Sequence, residues 1–151
     1  MSLLITFYKT LVRPENEAVL LDENGDLLDE DTWTQAINDP EYIGHGDGLP
    51  QKLICKKVDP VNLSYNGVYY RHFRRQLSDI ALLNHDDTLF RELIHFTDCE
   101  GFIGPQTCSK LAGDFEICRA QLIQTAINPQ VYDSLWQAFA RVAGTGIAIF
   151  R

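Results

Sequence analysis

The segment Leu93 to Pro105, LIHFTDCEGFIGP, carries the densest set of reactive side chains in the sequence. Asp98 and Glu100 stand two residues apart, just ahead of a proline-started helix, where the positive end of the helix dipole stabilises carboxylates. Two carboxylates at that spacing can turn toward one cation, or divide acid and base work in a hydrolase. The calcium loop of an EF-hand is the natural comparison. With Gly101 at its sixth position, Asp98 and Glu100 take the third and fifth, but Phe96 and Thr107 then fall at the first and twelfth, where carboxylates are required. The stretch Asp22, Asn24, Asp26 begins in the same way and fails at Leu27 and Trp33. Asp98 and Glu100 therefore read as weak metal candidates, and Asp98 as better suited to accepting amide hydrogen bonds in its own turn. No catalytic residue is assigned.

Cys-His chemistry is the second option. His95 and Cys99 are four residues apart and meet only on a helix, which Gly101 opposes. A nucleophilic cysteine needs a depressed pKa and a base in reach, and nothing here fixes either. His95, between Ile94 and Phe96, reads more simply as one face of a strand. A zinc set of His95, Cys99 and Cys108 lacks the usual ligand spacing, and no cofactor is implied.

The third option is a basic helix. In SYNGVYYRHFRRQ, Arg71 and Arg75 are one turn apart with Arg74 beside them, and Tyr65, Tyr69 and Tyr70 lie in or next to the same element. Guanidinium forks beside phenols bind carboxylate or phosphate. They can equally pair with acids of the same chain, Asp98 and Glu100 included. Internal pairing, which ties the helix to the loop, is the leading reading.

The elements that must position these groups follow from periodicity. LLITFY (3–8), EAVLL (17–21), KLICKKV (52–58) and IAIF (147–150) read as strands. Asp29 or Asp31 can cap a short helix containing Trp33 and Ile37, ending before Pro40. IGHGDGLP (43–50) is an irregular glycine-rich loop without the strand and helix a phosphate cradle needs. A first long helix spans Gly67 to Leu83, capped by Ser64 or Asn66, with Tyr69, Phe73, Leu77 and Ile80 on one face. A second runs from Pro105 to about Ala126 on the stripe Cys108, Leu111, Phe115, Cys118, Leu122. A third starts at Asn128-Pro129 and ends near Gly144, with Tyr132, Leu135, Trp136, Phe139 and Val142 inward. The apolar strands at both chain ends predict a small, mostly antiparallel sheet that pairs the termini and packs one face against three amphipathic helices. That is a single α+β domain over residues 1–151.

Composition narrows the function classes. The 151 residues are 45% hydrophobic and 23% charged, a globular balance with no leader-like opening and no apolar run of membrane-spanning length. The expected setting is cytoplasmic, with four free thiols and no C-x-x-C pair. Residues 1–50 hold eleven acids against two bases, residues 51–151 ten against eleven, and the net charge is −8. Affinity for nucleic acid is not expected from such a balance. Glu15 to Asp31 holds eight acids and no base. This stretch reads as a solvated hairpin, or as a docking site for a basic partner.

The phrases SYNGVYYRHFRRQLSDIA and LIHFTDCEGFIGPQTCSKLAGDF together resemble a family of small bacterial and phage-encoded proteins. Its members join a Ser-Tyr-x-x-aromatic…Arg helix to a phrase like NFSDCEGxIGP…KLxxDF. The resemblance covers roughly residues 44–151 and marks Ser64, Tyr65, Arg71, Asp98, Glu100, Gly101, Gly104, and the Lys110-Leu111…Asp114-Phe115 run. The opening MSLLITFY and the acidic stretch depart from it. It implies one compact, phage-related domain and brings no activity with it. The expected function is a non-enzymatic binding or interaction protein with a protein partner. The alternatives are a hydrolase or metal-dependent enzyme on Asp98 and Glu100, and an acidic partner of a basic protein through residues 15–31.

Overall fold

A computed structural model describes residues 2–8, 10–12, 33–37, 53–56, 61–95 and 101–150. In chain order the elements are β1 (Ser2–Tyr8), β2 (Thr10–Val12), β3 (Trp33–Ile37), β4 (Leu53–Lys56), β5 (Val61–Asn66), α1 (Gly67–Leu83), α2 (Arg91–Ile94), β6 (Gly101–Ile103), α3 (Pro105–Cys118), a 3-10 helix (Arg119–Gln124), α4 (Pro129–Val142) and β7 (Ile147–Phe150). The termini do meet: β1 pairs antiparallel with β7, Ile5 opposite Phe150 and Phe7 opposite Ala148. With β5 and β6 they form a four-stranded antiparallel sheet in the order β5-β1-β7-β6. A second sheet, β2-β4-β3, is also antiparallel. The α+β architecture expected from the sequence is the one observed.

Strand alternation sets the core. Leu3, Ile5, Phe7, Ala148, Phe150 and Ile103 lie on the face that meets α1, α3 and α4. Phe7 packs edge-on against Phe139 of α4 at 5.1 Å, and Phe115 of α3 meets Tyr132 of α4 at 4.8 Å. Such T-shaped contacts add to area burial because ring edges and faces carry opposite partial charge. The opposite sheet face is covered as well: Tyr8, Ile147 and Ile149 are buried but stand outside that core.

Four expectations need correction. Trp33–Ile37 is a strand paired with β4, not a helix. Five residues rich in β-branched and aromatic side chains satisfy either period, and the backbone partner decides. His95 is not on a strand face either: Arg91–Ile94 is a single helical turn, one of the two forms that Leu93 and Ile94 suit, and His95 is its C-cap. The helix begun at Pro105 tightens to 3-10 geometry after Cys118. On α1 the inward aromatic is Tyr70, while Tyr69 is 37% exposed. The strand reading of 17–21 lies outside the described residues.

The other caps and ends agree with the sequence. The Asn66 side chain accepts hydrogen bonds from the amides of Val68 and Tyr69 at the start of α1, and Asn128 accepts from Gln130 at the start of α4. All five stripe residues from Cys108 to Leu122 are buried, whereas Trp136 is only partly so. At the far end of α1, Asn84 and Gln121 exchange amide hydrogen bonds of 2.6 and 2.8 Å, which fixes α1 against the 3-10 helix.

Candidate functional site

The outward half of α1 is built by the same spacing that builds its core face. Tyr70, Phe73, Leu77 and Ile80 point inward, so Arg71 and Arg75 point out, one turn apart and exposed. Arg74 is half-buried between them and the core. Its Nη1 donates to the Ile94 carbonyl at 3.3 Å, and its guanidinium carbon lies 5.8 Å from the centroid of the Tyr70 ring. That ring stacks on Tyr65 of β5 at 6.2 Å, so the Tyr70 ring links β5 to Arg74, and Arg74 in turn holds the end of α2.

Between α1 and α2 this leaves a cleft of about 240 Å³, lined by Arg71, Arg74, Arg75, Ser78 and Ile94. Arg71 and Arg75 make no ion pair with any described residue, whereas Lys110 and Arg119 do. The cleft therefore gathers three of the chain's positive charges, two of them without an ion-pair partner among the described residues, beside a serine hydroxyl. Two phenols adjoin it. Burial pushes Tyr65 up to about 12, with Tyr69 adding to the effect. Burial raises Tyr70 further still. The Tyr70 hydroxyl is buried and has no hydrogen-bond partner among the described residues.

Of the sequence candidates, the fold brings Tyr65, Arg71 and Arg75 to one region, with His95 exposed at the end of α2 next to Ile94. Asp98 and Glu100 lie outside the described residues, as does Cys99, so their pairing with the arginines and their metal roles rest on sequence. Cys108 and Cys118 are buried free thiols. Cys108 directs its sulfur at the Ile103 carbonyl, and burial pushes Cys118 up to about 11, away from nucleophilic use at neutral pH. No group of three or more His, Cys, Asp or Glu side chains with metal-holding geometry occurs among the described residues.

The sequence reading missed a second polar cluster. Asp114 of α3 is a buried carboxylate. It accepts the amide of Phe90 at 3.0 Å and pairs with Lys110 one turn earlier at 2.7 Å. Lys110 also pairs with Glu92 at 2.8 Å and donates to the Thr88 carbonyl. Phe90 has a left-handed backbone, φ 55°, and its ring is fully buried against Phe115. Asp86 caps the same loop by accepting from the Thr88 amide and hydroxyl, which lowers its carboxyl pKa. Burial raises Asp114, and the Lys110 and Phe90 bonds only partly offset it. Burial opposes the charge on Lys110, but its bonds to Asp114 and Glu92 prevail and raise it. The i,i+4 spacing of Lys110 and Asp114 was the available signal. Their reach to residues 88–92 was not readable without the fold.

Compared with known proteins, the chain matches no family model, no curated protein and no solved structure. No described helix is long and apolar enough to cross a membrane. The resemblance of residues 44–151 to a phage-related family thus stays a reading of the sequence.

Proposed function

We propose that this chain is a non-enzymatic binding protein that recognises carboxylate- or phosphate-bearing ligands through the arginine cleft of α1. One observation carries the reading: two exposed guanidiniums without described partners flank a third, in a cleft with a hydroxyl and an apolar wall, on a chain of net charge −8. A volume of about 240 Å³ is roughly eight water molecules' worth of liquid, enough for one anionic group and part of its carrier. Guanidinium forks bind such groups bidentately, and Ser78 adds a neutral donor. Elsewhere, Lys110, Glu92, Asp114 and Asp86 are engaged in holding a loop, and Arg119 is paired with Asp133. The hydrolase alternative rests on Asp98 and Glu100 and draws on none of this geometry.

Isothermal calorimetry with citrate and with inorganic phosphate tests the reading. We expect saturable binding that weakens with salt and falls at least tenfold in the Arg71→Ala/Arg75→Ala double variant. Absence of binding to either anion, or an affinity indifferent to the two substitutions, contradicts it.

A further inference from the structure

The cleft is one end of a longer surface. Of the six exposed large apolar side chains among the described residues, four belong to α1: Val68 (74%), Tyr69, Leu82 (70%) and Leu83. Val68, Arg71, Arg75, Ser78 and Leu82 recur at spacings of 3, 4, 3 and 4, which places them on one stripe along the helix. This is the geometry of a helix–helix seam, but its middle is cationic and it faces outward. Beside the stripe lies a groove of about 680 Å³ that runs along α1 past His72, Gln76 and Asp79 and meets the stripe at Leu82, next to Leu83, with Gln124 to Ala126 on its far side. Ile123, 93% exposed, neighbours that second wall in sequence. The Asn84–Gln121 amide pair holds the two walls together, so the groove is built into the fold.

From Arg75 or Arg71 to Leu82 is seven or eleven residues, roughly 10–16 Å along a helix axis. A single small anion cannot span that distance, whereas two to three turns of helix can. We infer that the outer face of α1 docks an acidic, amphipathic helical segment of another protein, its carboxylates on Arg71 and Arg75 and its bulky apolar side chains in the Leu82–Leu83 groove. The charge pattern selects this occupant. Two guanidiniums without an ion-pair partner among the described residues reject a basic helix, and the exposed leucines give a purely polar one nothing to bury. Asp79, which also lines the groove, favours an amide or a base at the intervening turn of the partner. The inference rests on the arginine-cleft reading and adds the partner class to it.

The test is selection from a displayed library of helix-biased random peptides against the full chain. Enriched peptides are expected to carry Asp or Glu two to three turns from Leu, Ile or Phe. Their affinity should fall at least tenfold in Arg71→Glu/Arg75→Glu and also in Leu82→Ser/Leu83→Ser. Selection against the charge-reversed variant should favour basic peptides. All four side chains are solvent-facing or partly so, and retained helical circular dichroism verifies that each variant folds. Arginine-dependent citrate binding with no enriched peptide, or with peptides indifferent to the leucine changes, leaves the anion cleft standing and overturns the partner. Loss of both anion and peptide binding removes both readings. Self-association abolished by Leu82→Ser/Leu83→Ser makes the occupant a second copy and also overturns the inference.

Discussion

Asp114 shows how a carboxylate is used in this molecule. Its oxygen faces the amide of a left-handed residue and the ammonium of Lys110, so it fastens the loop of residues 86–92 to α3. The sequence offered Asp98 and Glu100, which lie outside the described residues, for this fastening role and did not single out Asp114 for it. Spacing alone finds acids near a helix start. It does not find an acid whose partner amide lies twenty-four residues away. Replacing Asp114 by Ala strands the Phe90 amide in a buried position and removes one partner of Lys110. A cost of about 1–3 kcal/mol is expected, the usual penalty for an unsatisfied buried group. Urea unfolding of the variant measures it, and a change within about 0.5 kcal/mol would mean that the loop is held by other contacts.

At the scale of elements, the three long helices were legible because each carries a sustained 3.6-residue apolar stripe and a recognisable start. Asn66, Pro105 and Asn128 mark their helix starts in the sequence and do so in the fold. The strands were harder. VNLSYN alternates Val61, Leu63 and Tyr65 with polar residues, which is a strand signal, yet the sequence reading of residues 61–66 includes only a helix cap at Ser64 or Asn66. That omission explains the one-residue error on α1. Tyr70 turns inward because Tyr65 of β5 offers a ring to stack on, and without β5 nothing distinguishes it from Tyr69. The arginines of the candidate site were legible by type and spacing. Their cleft was not, because its far wall is Ile94 of a four-residue helix.

Two glycines give a prediction of opposite signs. Gly113 sits inside α3 with nothing within 4 Å of where a Cβ would lie, so Gly113→Ala should stabilise by about 0.5–1 kcal/mol through backbone entropy. Gly144 ends α4 at φ 74°, and its amide donates to the Pro105 carbonyl at 2.9 Å. There the space is equally open, but the left-handed backbone opposes a side chain. Gly144→Ala should therefore destabilise by about 1 kcal/mol. Thermal unfolding of the pair checks both, and equal shifts in one direction would contradict the assigned helix ends.

For the whole molecule, the buried phenols set the alkaline limit. Burial raises Tyr65, Tyr70 and Tyr132 above their ordinary 10.0, and the Tyr132 hydroxyl also donates to the Phe115 carbonyl at 2.6 Å. Each phenol then holds its proton more tightly folded than unfolded. Its contribution is complete below pH 10.0 and is lost as pH climbs toward the raised value. Alkaline titration should show part of the phenolate absorbance appearing only as helical dichroism collapses. Ionisation of all six tyrosines near their ordinary value with the fold intact would contradict that burial.

On a chain of net charge −8, Arg71 and Arg75 stand exposed on one helical stripe without an ion-pair partner among the described residues. The most direct measurement follows the arginine side-chain Nε–H signals by NMR while citrate is titrated into the labelled protein. The account predicts that the Arg71 and Arg75 signals move together and saturate, with Ser78 and Ile94 amides following, while Arg119, already paired with Asp133, stays in place. Signals of Arg71 and Arg75 that do not move, or that drift no further than Arg119 without saturating, would contradict it.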